Sequence, residues 1–227
     1  MPSILIVRHG QASFGGADYD VLSDQGHAQV DALRRDLERR GLRPRVVVSG
    51  TLARQRDTAA PLAGALGAPL EIDARWNEYA TDDVLTHHSS TEVREDRPPG
   101  STAPEISSRQ FQELLEEALL AWIGAGAQGP AAEPWPAFAG RVAAALADVG
   151  RSLRSGETAI VATSGGVLAA VCVALLAVPD ERFVAFNRVT VNAGVTRVAS
   201  GRSGMTLVSF NEQGHLERAG DPLTTYR

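Results

Sequence analysis

The chain has 227 residues, 44% hydrophobic and 22% charged, with 22 basic side chains against 27 acidic ones and a formal net charge of −5. That length supports a large globular core, and the acidic balance argues against a nucleic-acid-binding surface. All 22 basic residues are arginines, which excludes lysine Schiff-base chemistry and the Gly-Lys-Ser/Thr phosphate loop.

The first predicted element is Ser3-Ile4-Leu5-Ile6-Val7, a short apolar run running into Arg8-His9-Gly10-Gln11. Continuous hydrophobic residues suit a parallel strand covered on both faces. Gly10 ends it, leaving an arginine and a histidine at the strand's C-terminal end, where open α/β sheets place their ligand sites. A loop from Gln11 to Asp20 with Gly15-Gly16 follows. Ser23 then reads as the N-cap of a helix, with Asp24 suited to its positive end. Val30, Leu33 and Leu37 form its buried stripe, and Gly41 is placed to stop it. Val46-Val47-Val48-Ser49 is a second buried strand, and Thr51 to Leu66 a second helix, ending at Gly67.

Leu70-Glu71-Ile72 is a short strand candidate. The polar, then proline- and charge-rich stretch from Asp82 to Gly100 reads as loop or lid. Phe111, Leu115, Ala118 and Trp122 keep helical spacing, Gly124 to Pro136 is a linker, and Phe138, Val142, Leu146, Val149 and Leu153 mark another amphipathic helix. Residues 77–136 therefore read as a lid insertion within one domain spanning 1–227. Thr158 to Thr163 is a third buried strand running into Ser164-Gly165-Gly166 and an apolar helix from Val167 to Ala177. Strands near 194–199 and 205–210 complete the pattern. Alternating strands and helices predict an α/β three-layer sandwich, with a mostly parallel sheet and helices on both faces.

Three strand ends thus carry candidate chemistry: Arg8-His9-Gly10, Ser49 with Arg54 on the next helix, and Ser164-Gly165-Gly166. Glycines opening a helix leave N–H groups free for an anion. Two arginines can grip phosphate oxygens with bidentate geometry, and an imidazole among them is a candidate nucleophile. No sequence pattern marks a membrane span or a secretory signal, and Cys172, the one cysteine, lies in an apolar run. The expectation is a cytoplasmic protein with a buried core thiol.

Arg8-His9-Gly10-Gln11, Leu22-Ser23-Asp24-Gln25-Gly26-His27-Ala28-Gln29, Ser49 through Ala59 with Arg54 inside it, and Trp76-Asn77-Glu78 resemble successive motifs of the histidine phosphatase superfamily, the phosphoglycerate-mutase-like proteins. Val208-Ser209-Phe210-Asn211 through His215-Leu216 resembles the family's closing strand and tail. The resemblance implies that His9 attacks phosphorus and becomes phosphohistidine, and that Arg8 and Arg54 hold the phosphoryl oxygens. It implies that Glu78 protonates the leaving oxygen and then deprotonates water. Phosphoryl transfer places charge on equatorial oxygens, so positioned cations suit it. Neighbouring arginines favour neutral imidazole, and burial beside a phosphate dianion favours a protonated Glu78. No metal or other cofactor is expected.

One departure stands out. Ser164 occupies the place of the family's second histidine, and a hydroxyl donates one hydrogen bond but carries no positive charge. Losing such a donor costs roughly 100- to 1000-fold in rate where nothing compensates. Two readings follow: a phosphomonoester hydrolase, or a phospho-ligand-binding relative without turnover, with mutase-type phosphotransfer a lesser third. Ser164, Gly165 and Gln11 join Arg8 and Arg54 as candidate phosphate contacts; Gln11 and Ser13, both in the first loop, have simple turn-forming as their alternative reading. His87 and His88 read as solvated lid residues, with a swing into the site as the alternative. Asp82 and Asp83 read as solvated loop residues, with replacement of Glu78 as the acid the alternative, and His27 and Arg56 read as surface residues. His215 reads as structural. The expected partner is phosphate or a small phosphorylated substrate, whose identity is not legible; a homodimer stays open.

Overall fold

The computed structural model describes residues 1–13, 20–89, 108–202, 204–217 and 223–226. The expected Gly15-Gly16 loop and the proline-rich stretch 90–107 lie outside the described residues. In chain order the elements are β1 (Ser3–Arg8), α1 (Asp24–Arg39), β2 (Val46–Ser49), α2 (Ala53–Leu66), β3 (Leu70–Ile72), α3 (Thr81–His88), α4 (Ser108–Ala125) and α5 (Trp135–Ser152). They continue with β4 (Thr158–Thr163), α6 (Gly165–Leu176), α7 (Phe183–Val189), β5 (Val195–Gly201), β6 (Gly204–Glu212) and α8 (Gly214–Glu217). A 3₁₀ turn at Ala74–Trp76 precedes α3.

Two compact units divide the chain. The first comprises Met1–Glu78 and Arg141–Arg227, the second Tyr79–Gly140. In the first, the described strands form one sheet in the order β3-β2-β4-β1-β5-β6. β1 pairs in parallel with β4, and β2 in parallel with both β4 and β3. β5 is antiparallel to β1 and β6, so the sheet is mostly parallel. β4 arrives late in the chain yet inserts between β1 and β2. Its apolar run Ala159-Ile160-Val161-Ala162 is buried throughout, as a central strand requires.

Leu5 and Val7 of β1, Val47 of β2 and Ile160 of β4 share a core with Leu33 and Leu37 of α1 and Ala59, Leu62 and Leu66 of α2. Side chains alternate along a strand, so Ile4 and Ile6 point to the opposite face, where they are equally buried. α6 packs against β1 and β6. The helix ends follow local chemistry. The Ser23 side chain accepts from Gly26 N to start α1, and Gly67 closes α2 in the left-handed conformation at φ 65°.

In the second unit, Tyr79, Trp122, Trp135 and Phe138 form an aromatic cluster with neighbouring ring centroids 5.4 to 5.9 Å apart. The buried Trp122 indole N–H donates to Glu133 O at 2.9 Å. α3 corrects the expectation of a loop from Asp82: residues 81–88 are helical. Its acidic first turn, with Asp82 and Asp83, matches the helix dipole.

Candidate active site

The register of the central strands assembles the site. Arg8 pairs with Thr163, which brings the next residues, His9 and Ser164, side by side; Ser49 pairs with Ala162 on the far side of β4. The C-terminal ends of three parallel strands therefore meet. Gly10 and Gly26 let the end of β1 rest directly on the start of α1. A Cβ at Gly10 would lie 2.6 Å from Gly26 O, and one at Gly26 would lie 2.1 Å from Gln11 O. No side chain fits at either position.

His9 is 7% exposed, and its Nδ1 lies 2.7 Å from Gly10 O. A carbonyl only accepts, so Nδ1 carries the hydrogen and Nε2 presents its lone pair. Gly10 N donates to Thr58 Oγ1 at 3.0 Å and Asn192 Nδ2 donates to His9 O at 3.1 Å, fixing the peptide that carries the ring. Burial holds the His9 pKa well below its ordinary value, and the charges of Arg8 and Arg54 push it the same way.

Arg54 donates from Nε to His9 Nε2 at 3.3 Å and from Nη1 to Asp20 Oδ1 at 2.6 Å. The other Asp20 oxygen accepts from Ala53 N at 2.7 Å, at the start of α2, where helix N–H groups lack intrahelical partners. Arg8 Nη1 donates to Tyr226 O at 2.8 Å and also to Thr190 O. A Cβ on Gly165 would lie 3.0 Å from Asn187 Oδ1 and 3.5 Å from Arg8 Nε, so the bare backbone there lets the guanidinium approach α6 closely.

Glu78 follows the 3₁₀ turn, and its Oε2 accepts from Gly166 N at 3.0 Å, in the first turn of α6. The anion at that helix N-terminus is thus the protein's own carboxylate. Arg141 Nη1 donates to Arg75 O at 2.7 Å and Asn77 O at 2.8 Å, pinning the segment that leads into Glu78. Asn77 Oδ1 in turn accepts from Thr51 N at 2.7 Å. Ser164 has no exposed surface. Its Oγ accepts from Gln55 Nε2 at 2.8 Å, and the same amide donates to Trp76 O at 3.0 Å.

The family model for the histidine phosphatase superfamily (branch 1) matches residues 4–213. The chain belongs to this superfamily. No curated protein sequence matches it significantly. Among solved structures, a mycobacterial glucosyl-3-phosphoglycerate phosphatase is similar at TM-score 0.65 and 22% identity, over 92% of this chain and 99% of that one. A phosphoserine phosphatase from Entamoeba histolytica aligns at TM-score 0.68 and 17% identity, over 95% and 100%. The YhfR protein of Bacillus stearothermophilus aligns at 0.67 and 16%, over the same shares. At these identities the likeness is one of fold.

Of the residues singled out in the sequence, the histidine phosphatase fold gathers Arg8, His9 and Arg54 at the end of β1. Glu78, Ser164 and Gly165 gather at the start of α6. Gln11 is engaged in the β1–α1 junction: its N donates to Gln29 Oε1 at 2.8 Å and its Oε1 accepts from Ser23 Oγ at 3.1 Å. Ser13 N donates to Val21 O at 2.9 Å. His27 and Arg56 are exposed. His215 is buried and donates from Nε2 to Ala193 O at 3.0 Å. His87 and His88 stand on α3 rather than a loop, His87 with its Nδ1 3.1 Å from Asp83 Oδ1. Among the described residues, no group of three or more His, Cys, Asp or Glu is placed to hold a metal ion, and no helix is long and apolar enough to cross a membrane.

Sequence reading missed Asp20, Gln55, Thr58 and Asn192. Gln55 had a signal: it sits four residues before Ala59 and seven before Leu62, a polar residue on the apolar stripe of α2. Asp20 and Asn192 had none, because each meets its partner only through the tertiary fold.

Proposed function

We propose that the protein hydrolyses a small phosphomonoester through a phosphohistidine on His9. The observation that carries this reading is the state of the imidazole: Nδ1–H is held by Gly10 O, and Nε2 is an unprotonated lone pair that meets Arg54 Nε, with the charge of Arg8 also bearing on the ring. The phosphoryl group enters where Arg54 Nε now meets Nε2. Nε2 forms a bond to phosphorus as the bond to the ester oxygen breaks, and the arginines balance charge on the equatorial oxygens. Glu78 gives a proton to the leaving oxygen, then takes one from the water that attacks phosphohistidine and releases phosphate and His9. No step calls for a metal. Fold neighbours named as phosphatases of phosphorylated glycerate and serine compounds support a small phosphorylated substrate.

A phospho-ligand-binding protein without turnover is the second reading, favoured by Ser164 in place of an imidazole. A metal-free assay with an aryl phosphate separates the two. Turnover in the wild type that disappears in His9→Ala, with an acid-labile phosphoryl label on the quenched wild-type protein, is the expected result. Binding of phosphate without turnover would favour the second reading.

A further inference from the structure

We propose that Gln55 and Ser164 are a matched pair in which the Gln55 amide fills the space a histidine at 164 would need and acts as the positioning residue for this corner of the site. The inference rests on the phosphatase reading for its functional half. Its structural half rests on the packing alone.

Both side chains are wholly buried. The orientation of the amide is set by Trp76 O: a carbonyl only accepts, so the atom 3.0 Å from it must be Nε2. The same nitrogen then donates to Ser164 Oγ at 2.8 Å, which commits both amide hydrogens and turns the serine's own hydrogen away from Gln55. Trp76 O accepts a second bond from Thr163 Oγ1 at 2.6 Å. One amide and one carbonyl therefore join α2, the end of β4 and the turn that leads to Glu78. Glu78 is two residues beyond Trp76 and reaches back to Gly166 N, two residues beyond Ser164. Gln55 closes this ring of contacts, so it fixes where the proposed acid stands relative to α6.

Space is the second part. A histidine at 164 puts ring atoms where Oγ is now and projects beyond them, into the amide. Because Ser164 touches no solvent, the ring has no solvent to turn into. Gln55 already uses the room that Gly50 leaves, since a Cβ on Gly50 would lie 2.0 Å from its Oε1. Serine at 164 is therefore a partner to glutamine at 55, and restoring histidine alone does not restore an imidazole site.

The test is a cycle of Ser164→His, Gln55→Ala and the double variant, read first by thermal unfolding. Ser164→His alone is expected to lower Tm by about 5 °C or more through overpacking. The double variant is expected to recover most of that loss, because alanine vacates the space. Additive Tm changes, or a double variant no more stable than Ser164→His, overturn the matched pair. For positioning, Gln55→Met keeps the volume and removes both donors. It should lower kcat about 10-fold while KM changes less than about twofold. Unchanged kcat overturns that half. A wild type with no turnover refutes the phosphatase reading instead, and the Tm cycle still decides the pair.

Discussion

His9 is neutral because burial disfavours its charged form and two arginines repel it. Its pKa lies below the ordinary 6.5, so the unfolded chain binds a proton the folded one refuses. The resulting stability is complete above about pH 6.5 and is lost as pH falls below it. Following the ring Cε1 proton by NMR should find His9 titrating well on the acid side of the ordinary histidine value. Arg54→Ala should raise the His9 pKa only part of the way, since burial is the leading cause. A return to the ordinary value would mean that the arginine, not burial, sets it. Asp20 makes a second claim at this scale. Its carboxylate caps α2 and steadies Arg54 together, so Asp20→Ala should cost about 1 kcal/mol of stability as a lost cap. It should also lower kcat/KM. A rise in kcat/KM would show instead that Asp20 competes with the substrate phosphate for Arg54.

At the scale of elements, the chain was legible wherever a local rule and the tertiary fold agree. β1, β2 and β4 are short apolar runs. α1 has its Ser23 cap and its Val30-Leu33-Leu37 stripe, and α2 stops at Gly67 as the sequence suggests. α3 was not legible because it buries only Val84 within eight polar-rich residues, leaving no stripe to read. The strand ends that carry Arg8, His9 and Ser164 could be named in sequence, but their register could not: β4 pairs with β1 across most of the chain. The helix ends yield a paired prediction of opposite sign. Gly67 and Ala177 both terminate helices in the left-handed region, at φ 65° and 50°. Gly67→Ala should destabilise, and Ala177→Gly should stabilise, each by about 1 kcal/mol in chemical denaturation. If both changes had the same sign, something other than backbone conformation would be dominating at one of them.

For the molecule as a whole, α6 links the site to global stability. Its first turn holds Glu78, its body is buried from Gly165 to Val173, and it packs against β1, β6 and α7. Cys172 lies in that body without exposed surface, and burial pushes its thiol up to about 12. A thiolate reagent should therefore leave the native protein unlabelled on the timescale of mixing and react fully in denaturant. Slow labelling under native conditions then reports opening of α6. An opening that dismantles the Gly166–Glu78 contact also dismantles the proposed phosphate site, so a bound anion must oppose it. Inorganic phosphate should slow labelling by the factor 1 + [L]/Kd, about 10-fold at nine times Kd. Rapid native labelling would show that α6 is not sealed. Slow labelling indifferent to phosphate, at concentrations that inhibit turnover, would mean that α6 opens without disturbing the site. In that case the Gly166–Glu78 contact would not couple the two.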